Sequence, residues 1–484
     1  MQQEFHQSNV GGDALHGASS QAIASNALEH MTFNAVILRR ANSELLLVRN
    51  GGQFELPLVI IPKWRRVAQE VTEFILGLWG LKTICLFQPE AQSSDSYDTD
   101  RFVVLEARDP SWLPPSGFNW VPRAELRNRW HSIKEVRSLD EILATLDAHN
   151  DRSIHGPFAR AGWFDDLISW AQKQVDPYRL RLTGKFCQLN GDPSFSLVRF
   201  ETTGPSIWFK AVGEPNRHEF PITVTLAKLF PRYLPILIAT KPSWNSWLTF
   251  EAEGSILDEN SDVSTWEKAA GALAELQIES ADQTRSLLDA SCRDIKVSAL
   301  LEQIDPFFDV MAKLMAQQPK VPPPVLSFQE IHALAAQLKE VCVHLEDLGF
   351  PDTLGHLDFN PGNIIAGSDR CVFLDWAEAY VGHPFLTFEY LRQHLSRAHP
   401  SDGAWRSRMT SRYLEPWSSL VAVDKLAQAL EITPLVAVFA YAASSGAWRD
   451  SQRLKNPQMA GYLRALTRRM QREARLTKSR GTDA

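Results

Sequence analysis

Residues 355–365 read Gly355-His356-Leu357-Asp358-Phe359-Asn360-Pro361-Gly362-Asn363-Ile364-Ile365, and after a Gly-Ser-Asp turn the chain continues Cys371-Val372-Phe373-Leu374-Asp375-Trp376. The pattern is loop, strand, turn and second strand, with polar side chains only at particular points. Transfer of a phosphoryl group needs an acceptor hydroxyl held in line with the γ-phosphate and charge neutralised on the phosphate oxygens. Asp358 can orient that hydroxyl and take its proton late in the reaction. Asn363 and Asp375 can offer one neutral and one anionic oxygen to Mg²⁺, a cation that takes few protein ligands and completes its shell with nucleotide phosphates and water. The Pro361-Gly362 turn brings Asn363 back beside Asp358, and Asp375 ends a mostly apolar strand where a lone carboxylate needs a cation.

This stretch resembles the H-x-D-x-x-x-x-N motif and following Asp of protein-kinase-like enzymes, specifically the aminoglycoside phosphotransferase and choline kinase-like families. The resemblance spans about Trp163 to the C-terminus and is strongest from Gly355 to Phe385. It implies a catalytic Asp358 with His356 buttressing the loop, and magnesium on Asn363 and Asp375. Upstream it implies a lysine for the nucleotide phosphates and a helix glutamate to hold it. Lys210, ending the alternating strand SIWFKAV, and Glu219, nine residues on at the head of a helical segment, fit those roles. Phe250, Glu251 and Ala252 fall where backbone groups would meet the adenine of ATP or GTP. The chain departs from the pattern at Leu357, usually Gly, at Asn360, often His, and at Thr387, commonly Asp. The phosphate-covering loop, residues 188–194, has one Gly and an acidic residue.

The elements that must position these groups follow from periodicity. Tyr178 to about Phe250 is β-rich, with LVRFET and SIWFKAV joined through Thr203-Gly204-Pro205, whose Gly and Pro suit a turn. After Gly254 helices dominate. Ser264-x-x-Glu267 and Ser327-x-x-Glu330 have capping-box spacing, and the second leads into a stripe at Ile331, Leu334, Leu338, Val341, Leu345 and Leu348. Trp163, Phe164, Leu167, Ile168 and Ala171 mark the buried face of a connecting helix.

Upstream, FNAVILRR, ELLLVRN and RFVVLEA read as strands, with a helical stretch from Trp64 to Leu78. With Glu55-Leu56-Pro57 and Trp120-Val121-Pro122-Arg123-Ala124-Glu125-Leu126, this region resembles a Nudix domain. That family's metal-binding carboxylates would fall on Phe74, Gly77 and Leu78, which cannot ligate a hard cation, so its chemistry is expected to be lost. Glu70 and Glu73 share a helix face and read as solvated.

The expected fold is therefore α+β: a two-lobe, protein-kinase-like arrangement with a β-rich N-lobe and helical C-lobe, preceded by a small α/β Nudix-like domain. The expected boundaries are 1–28 flexible leader, 29–150 Nudix-like domain, 151–176 connecting helix, 177–252 N-lobe and 253–484 C-lobe. The expected activity is ATP- or GTP-dependent, magnesium-assisted phosphorylation of a small molecule, the alternative being a nucleotide-binding scaffold without turnover. No D-F-G to A-P-E activation segment follows Asp375.

Bulk properties narrow the partners. The net charge of −7 argues against general nucleic-acid binding, which needs a basic surface. Arg464, Arg468, Arg469, Arg472 and Arg475 recur at helical spacing and read as a solvated face. The five cysteines form no C-x-x-C pair and read as reduced, buried residues. No apolar run reaching the ~18 residues of a membrane span is read, and no signal pattern, so a cytoplasmic location is expected. Glu253, Asp258, Glu378 and Glu389 are candidates to contact a cationic acceptor, Tyr413 and Trp417 an apolar one; neither the acceptor nor the oligomeric state is legible.

Overall fold

The computed structural model describes residues 29–39, 43–50, 53–63, 65–89, 101–128, 133–150, 157–258 and 260–481. The expected leader and Trp64 lie outside them. The described chain is α+β, with mixed sheets and helices, and divides into two compact units, Met1–Phe220 with Leu237–Glu251, and Pro221–Ile236 with Ala252–Ala484.

The first unit opens with a mixed seven-stranded sheet: β1 (His30–Arg39), β2 (Glu44–Asn50), β3 (Gln53–Glu55), β4 (Leu58–Pro62), then helix α1 (Val67–Trp79), then β5 (Thr83–Phe87), β6 (Phe102–Ala107) and β7 (Phe118–Pro122). The strand β1 is apolar on both sides because both faces are covered. Phe33, Ala35 and Ile37 pack with Val67, Val71 and Ile75 of α1, whereas Val36 and Leu38 join a second cluster on the other face. Helices α2 (Ile133–Asn150) and α3 (Trp163–Val175) follow, then an antiparallel sheet of β8 (Leu182–Asp192), β9 (Phe195–Thr202), β10 (Ile207–Val212), β11 (Leu237–Lys241) and β12 (Ser246–Phe250), in the order β11-β12-β10-β9-β8. Between β10 and β11 runs α4 (Glu219–Leu229).

The second cluster spans both sheets. Val36, Leu45 and Val104 of the first, Leu143 and Leu146 of α2, Trp163, Phe164 and Leu167 of α3, and Phe200, Phe209 and Leu248 of the second sheet form one buried core. The stretch expected to be a separate N-terminal domain thus shares its core with the β-rich region after it. Polar ties reinforce this: Glu106 accepts from the Gly162 amide at 3.0 Å, and Arg108 donates to Asp165.

In the second unit, β13 (Ser255–Ile256) precedes α5 (Val263–Ser280), α6 (Thr284–Asp289), β14 (Arg293–Ile295), α7 (Val297–Ala316) and α8 (Phe328–Asp347). Next come β15 (Thr353–His356), β16 (Ile364–Ala366), β17 (Cys371–Phe373) and β18 (Ala379–Gly382), then α9 (Phe385–Ala398), α10 (Gly403–Trp417), α11 (Val423–Ser444), α12 (Ser451–Leu454) and α13 (Pro457–Gly481). The expected stripe on α8 is buried along its length. Ser327 caps α8 through the expected reciprocal box, its Oγ accepting from Glu330 N at 3.2 Å while Glu330 accepts from Ser327 N at 2.8 Å. The other box does not form: Asp262 caps α5, accepting from Thr265 N at 2.9 Å, and Ser264 donates to that same carboxylate. A carboxylate two residues upstream takes the orphan amides first.

Further expectations need correction. Cys187 is partly exposed, while the other four cysteines are buried. The helix α11 is long and apolar enough to cross a membrane by length and composition, and most of it is buried within its unit. The arginines of α13 are not simply solvated: Arg464 donates to the Leu314 carbonyl, Arg468 to the Pro324 carbonyl at 2.8 Å, and Arg469 to Gln393. They clip α13 to neighbouring elements.

Candidate active site

The catalytic-loop candidates sit where two small sheets meet helices of the second unit. The strand β15 pairs antiparallel with β18, His356 opposite Ala379, and β16 pairs with β17, Ile364 opposite Phe373. The chain therefore leaves β15 at His356, turns, and re-enters on β16, while β17 ends immediately before Leu374-Asp375. Close packing at Gly355 fixes the start of the loop, since a Cβ there would overlap the Tyr380 ring.

His356 is 1% exposed and binds both limbs of the loop. Its Nδ1 accepts from the Asp358 amide at 3.1 Å, and its Nε2 lies 3.2 Å from the Leu374 carbonyl. Accepting at Nδ1 and donating at Nε2 requires the neutral ring. Burial depresses its pKa, which the nearby Asp358 and Asp375 carboxylates only partly offset, so the same neutral form is favoured electrostatically. The expected buttress is thus a two-ended hydrogen-bonded strut.

The remaining polar groups gather on this strut. Asn363 Nδ2 donates to the Asp358 carbonyl at 3.0 Å, which leaves its Oδ1 as the amide atom suited to a cation. Asn363 O accepts from Leu374 N at 2.9 Å, so the backbone of 363 is bonded one residue from Asp375. Asp375 has φ 61° and ψ 61°, a left-handed conformation that costs a non-glycine residue free energy and is typical of functional sites. Hydrogen bonds join His356, Asp358 and Asn363 and reach Leu374, and the Asp375 carboxylate lies near enough to act on the His356 ring electrostatically. Among the described residues no three His, Cys, Asp or Glu side chains gather into a metal cage; the Asn363 amide and the Asp375 carboxylate offer oxygen donors of the kind a hard cation takes.

Two departures from the family pattern acquire roles. Asn360 Nδ2 donates to Asp358 Oδ1 at 3.0 Å, orienting the carboxylate from within its own turn. Thr387 Oγ1 accepts from His356 N at 2.8 Å and shares a hydrogen bond with the Tyr380 hydroxyl at 2.8 Å. Neither side-chain partnership was legible in the sequence, although the positions were noted as unusual. Leu357 is buried in the core.

In the first unit Lys210 and Glu219 form an ion pair at 2.6 Å, with side chains 14% and 3% exposed. Strand β10 delivers the lysine and the first residue of α4 delivers the glutamate. The ammonium lies 5.5 Å from the centre of the Phe195 ring and 5.8 Å from that of Trp247. Phe250 ends β12. Glu251 N–H donates to the Ser206 carbonyl, and the Glu251 carboxylate is held by Arg199 at 2.7 Å and Trp208 at 3.1 Å, so its remaining backbone group for an adenine is the carbonyl. Ala252 begins the second stretch of the other unit.

Tyr413 and Trp417 are fully buried, Tyr413 donating to Gln277 at 2.6 Å, and serve the core rather than an acceptor. Glu389 is buried and bonded to Arg392 and Gln393, and Glu378 is paired with Arg293 at 2.6 Å.

Comparison with known proteins gives one family match: residues 247–420 fit the phosphotransferase enzyme family, a span that contains the whole catalytic-loop knot. No curated protein sequence matches the chain. Among solved structures, the chain is similar to the macrolide 2'-phosphotransferase MphH from Brachybacterium faecium, at 14% identity and TM-score 0.43 over 62% of this chain and 98% of that one. It is also similar to choline kinase LicA from Streptococcus pneumoniae, at 14% identity and TM-score 0.40 over 65% and 99%. The choline kinase from Cryptosporidium parvum matches at 12% identity and TM-score 0.46 over 66% and 97%.

Proposed function

We propose that this chain transfers the γ-phosphate of a nucleotide, ATP or GTP, to a hydroxyl of a small-molecule acceptor. The observation that carries the reading is the His356 strut, which ties Asp358 to the carbonyl preceding Asp375 while Asn363 bonds the Asp358 backbone. In this reading Asp358, steadied by Asn360, accepts the hydrogen bond of the acceptor hydroxyl and receives its proton as the new P–O bond forms. Asn363 Oδ1 and the Asp375 carboxylate hold Mg²⁺, which supplies charge neutralisation on the nucleotide phosphates. Lys210, held by Glu219 within the first unit, is the candidate cation there for nucleotide phosphates. The N-terminal sheet is read as Nudix-like without that family's chemistry, since Phe74, Gly77 and Leu78 stand where its carboxylates would be.

Nucleotide consumption measured with purified protein across a panel of hydroxyl acceptors tests this. The expected result is acceptor-dependent turnover that Asp358→Ala lowers by about 10²–10⁴-fold, with nucleotide binding retained. Metal-dependent nucleotide binding without turnover on any acceptor would instead identify a scaffold.

A further inference from the structure

A buried polar contact joins the N-terminal sheet to the second sheet of its unit. Gln188 of β8 is 2% exposed, and its side-chain amide pairs with the backbone of Cys85 on β5. Gln188 Oε1 accepts from Cys85 N at 2.7 Å, and Gln188 Nε2 donates to Cys85 O at 2.8 Å. The glutamine thereby continues the backbone ladder of β5 in place of a missing strand. Three residues on, the Gly191 carbonyl accepts from the Cys85 thiol at 3.5 Å, and a Cβ at Gly191 would stand 2.6 Å from the Cys85 carbonyl. The glycine is required by that close approach.

This contact lies in the half of the β8–β9 hairpin nearer its turn. The β8–β9 pairing is irregular between Gln188 and Asn190, and the tip is closed by Asp192, whose carboxylate accepts from Ser194 N at 2.7 Å. Ser194 O accepts from Gly213 N at 2.6 Å, fastening the tip to the residue after β10. Phe195, the first residue of β9, lies beside the Lys210 ammonium. A continuous path thus runs from β5 through Gln188 and the hairpin to the lysine.

We propose that the N-terminal sheet is a positioning element for the nucleotide: through the Gln188–Cys85 pair it holds the hairpin, residues 188–195, in the one placement that sets its tip over the phosphates bound at Lys210. The inference rests on the function proposed above, and gives the N-terminal region a role there that does not depend on chemistry of its own. Gln188 is a positioning residue, because it acts through the hairpin and touches no substrate. Holding the hairpin beforehand spares the ordering cost at binding.

The test compares wild type with Gln188→Met, which keeps the length and removes both hydrogen bonds, and with Gly191→Ala, whose Cβ would crowd both the Gln188 amide and the Cys85 carbonyl. Binding of Mg·ATP and Mg·GTP is measured by titration calorimetry on the full chain, at a temperature where circular dichroism shows each protein folded. Both variants should weaken nucleotide binding by about tenfold and raise the nucleotide KM by a similar factor, with kcat changed by less than about threefold. Amide exchange at residues 189–195 should rise in both. Wild-type affinity in folded Gln188→Met or folded Gly191→Ala overturns the positioning role while leaving the phosphotransferase reading intact. Failure of the wild-type protein to bind either nucleotide removes that reading, and the positioning role with it.

Discussion

At the scale of single residues, the site depends on small polar groups that aim larger ones. Asn360 is the nearest restraint on the Asp358 carboxylate, so under the proposed function Asn360→Ala should lower kcat by about 10–100-fold, the cost of letting the proposed base drift, with nucleotide affinity unchanged; steady-state kinetics would read this, and an unaltered kcat would refute it. Glu219 is buried against Lys210. Glu219→Ala would leave a mostly buried ammonium without its carboxylate, a loss of about 3–5 kcal/mol for breaking such a pair, visible in denaturant unfolding. Thr387→Val should also destabilise, by about 1–3 kcal/mol, because the His356 amide and Tyr380 hydroxyl both use its oxygen.

At the scale of elements, two helices with the same sequence signature are capped differently. Ser327→Ala should cost about 0.5–2 kcal/mol, since its hydroxyl satisfies an end amide of α8. Ser264→Ala should stay within about 0.5 kcal/mol of wild type, because Asp262 does the capping of α5. Asp262→Ala should then cost what Ser327→Ala costs. Equal effects at Ser264 and Ser327 in chemical unfolding would contradict the assignment.

At the scale of the whole molecule, buried imidazoles set the acid limit of stability. Burial holds His356 below the ordinary imidazole range and His383 down to about 3. The unfolded chain therefore takes up protons that the native chain refuses. Their stabilising contribution is complete above pH ~6.5 and is lost as pH falls toward the folded values, at up to about 1.4 kcal/mol per pH unit for each histidine. Denaturant midpoints should fall between pH 7.5 and 5, and His383→Gln should flatten the profile; an equally steep profile in that variant would refute the assignment. The shared core of the first unit makes a second prediction. A chain beginning at residue 177 would expose Phe200, Ile207 and Phe209, whose partners lie on α3 and the first sheet, and should aggregate. A soluble, monodisperse product in size-exclusion chromatography would show that the N-terminal sheet is dispensable for folding.

The sequence by itself determined what is local. The H-x-D-x-x-x-x-N spacing and the apolar strand ending in Asp375 named the candidate site, and the Lys210–Glu219 pair followed from a strand and the helix head after it, because periodicity and side-chain chemistry act over a few residues. The α8 stripe and the face of α3 were legible for the same reason. Only the tertiary structure decided which of two competing groups caps α5, that the α13 arginines reach neighbouring carbonyls, and that Tyr413 and Trp417 are core. It alone showed Gln188 completing the ladder of a strand 103 residues earlier. Those outcomes depend on which distant backbone groups arrive unsatisfied at the same place. A buried amide must pair with whatever the fold brings to it, and no local pattern records that partner.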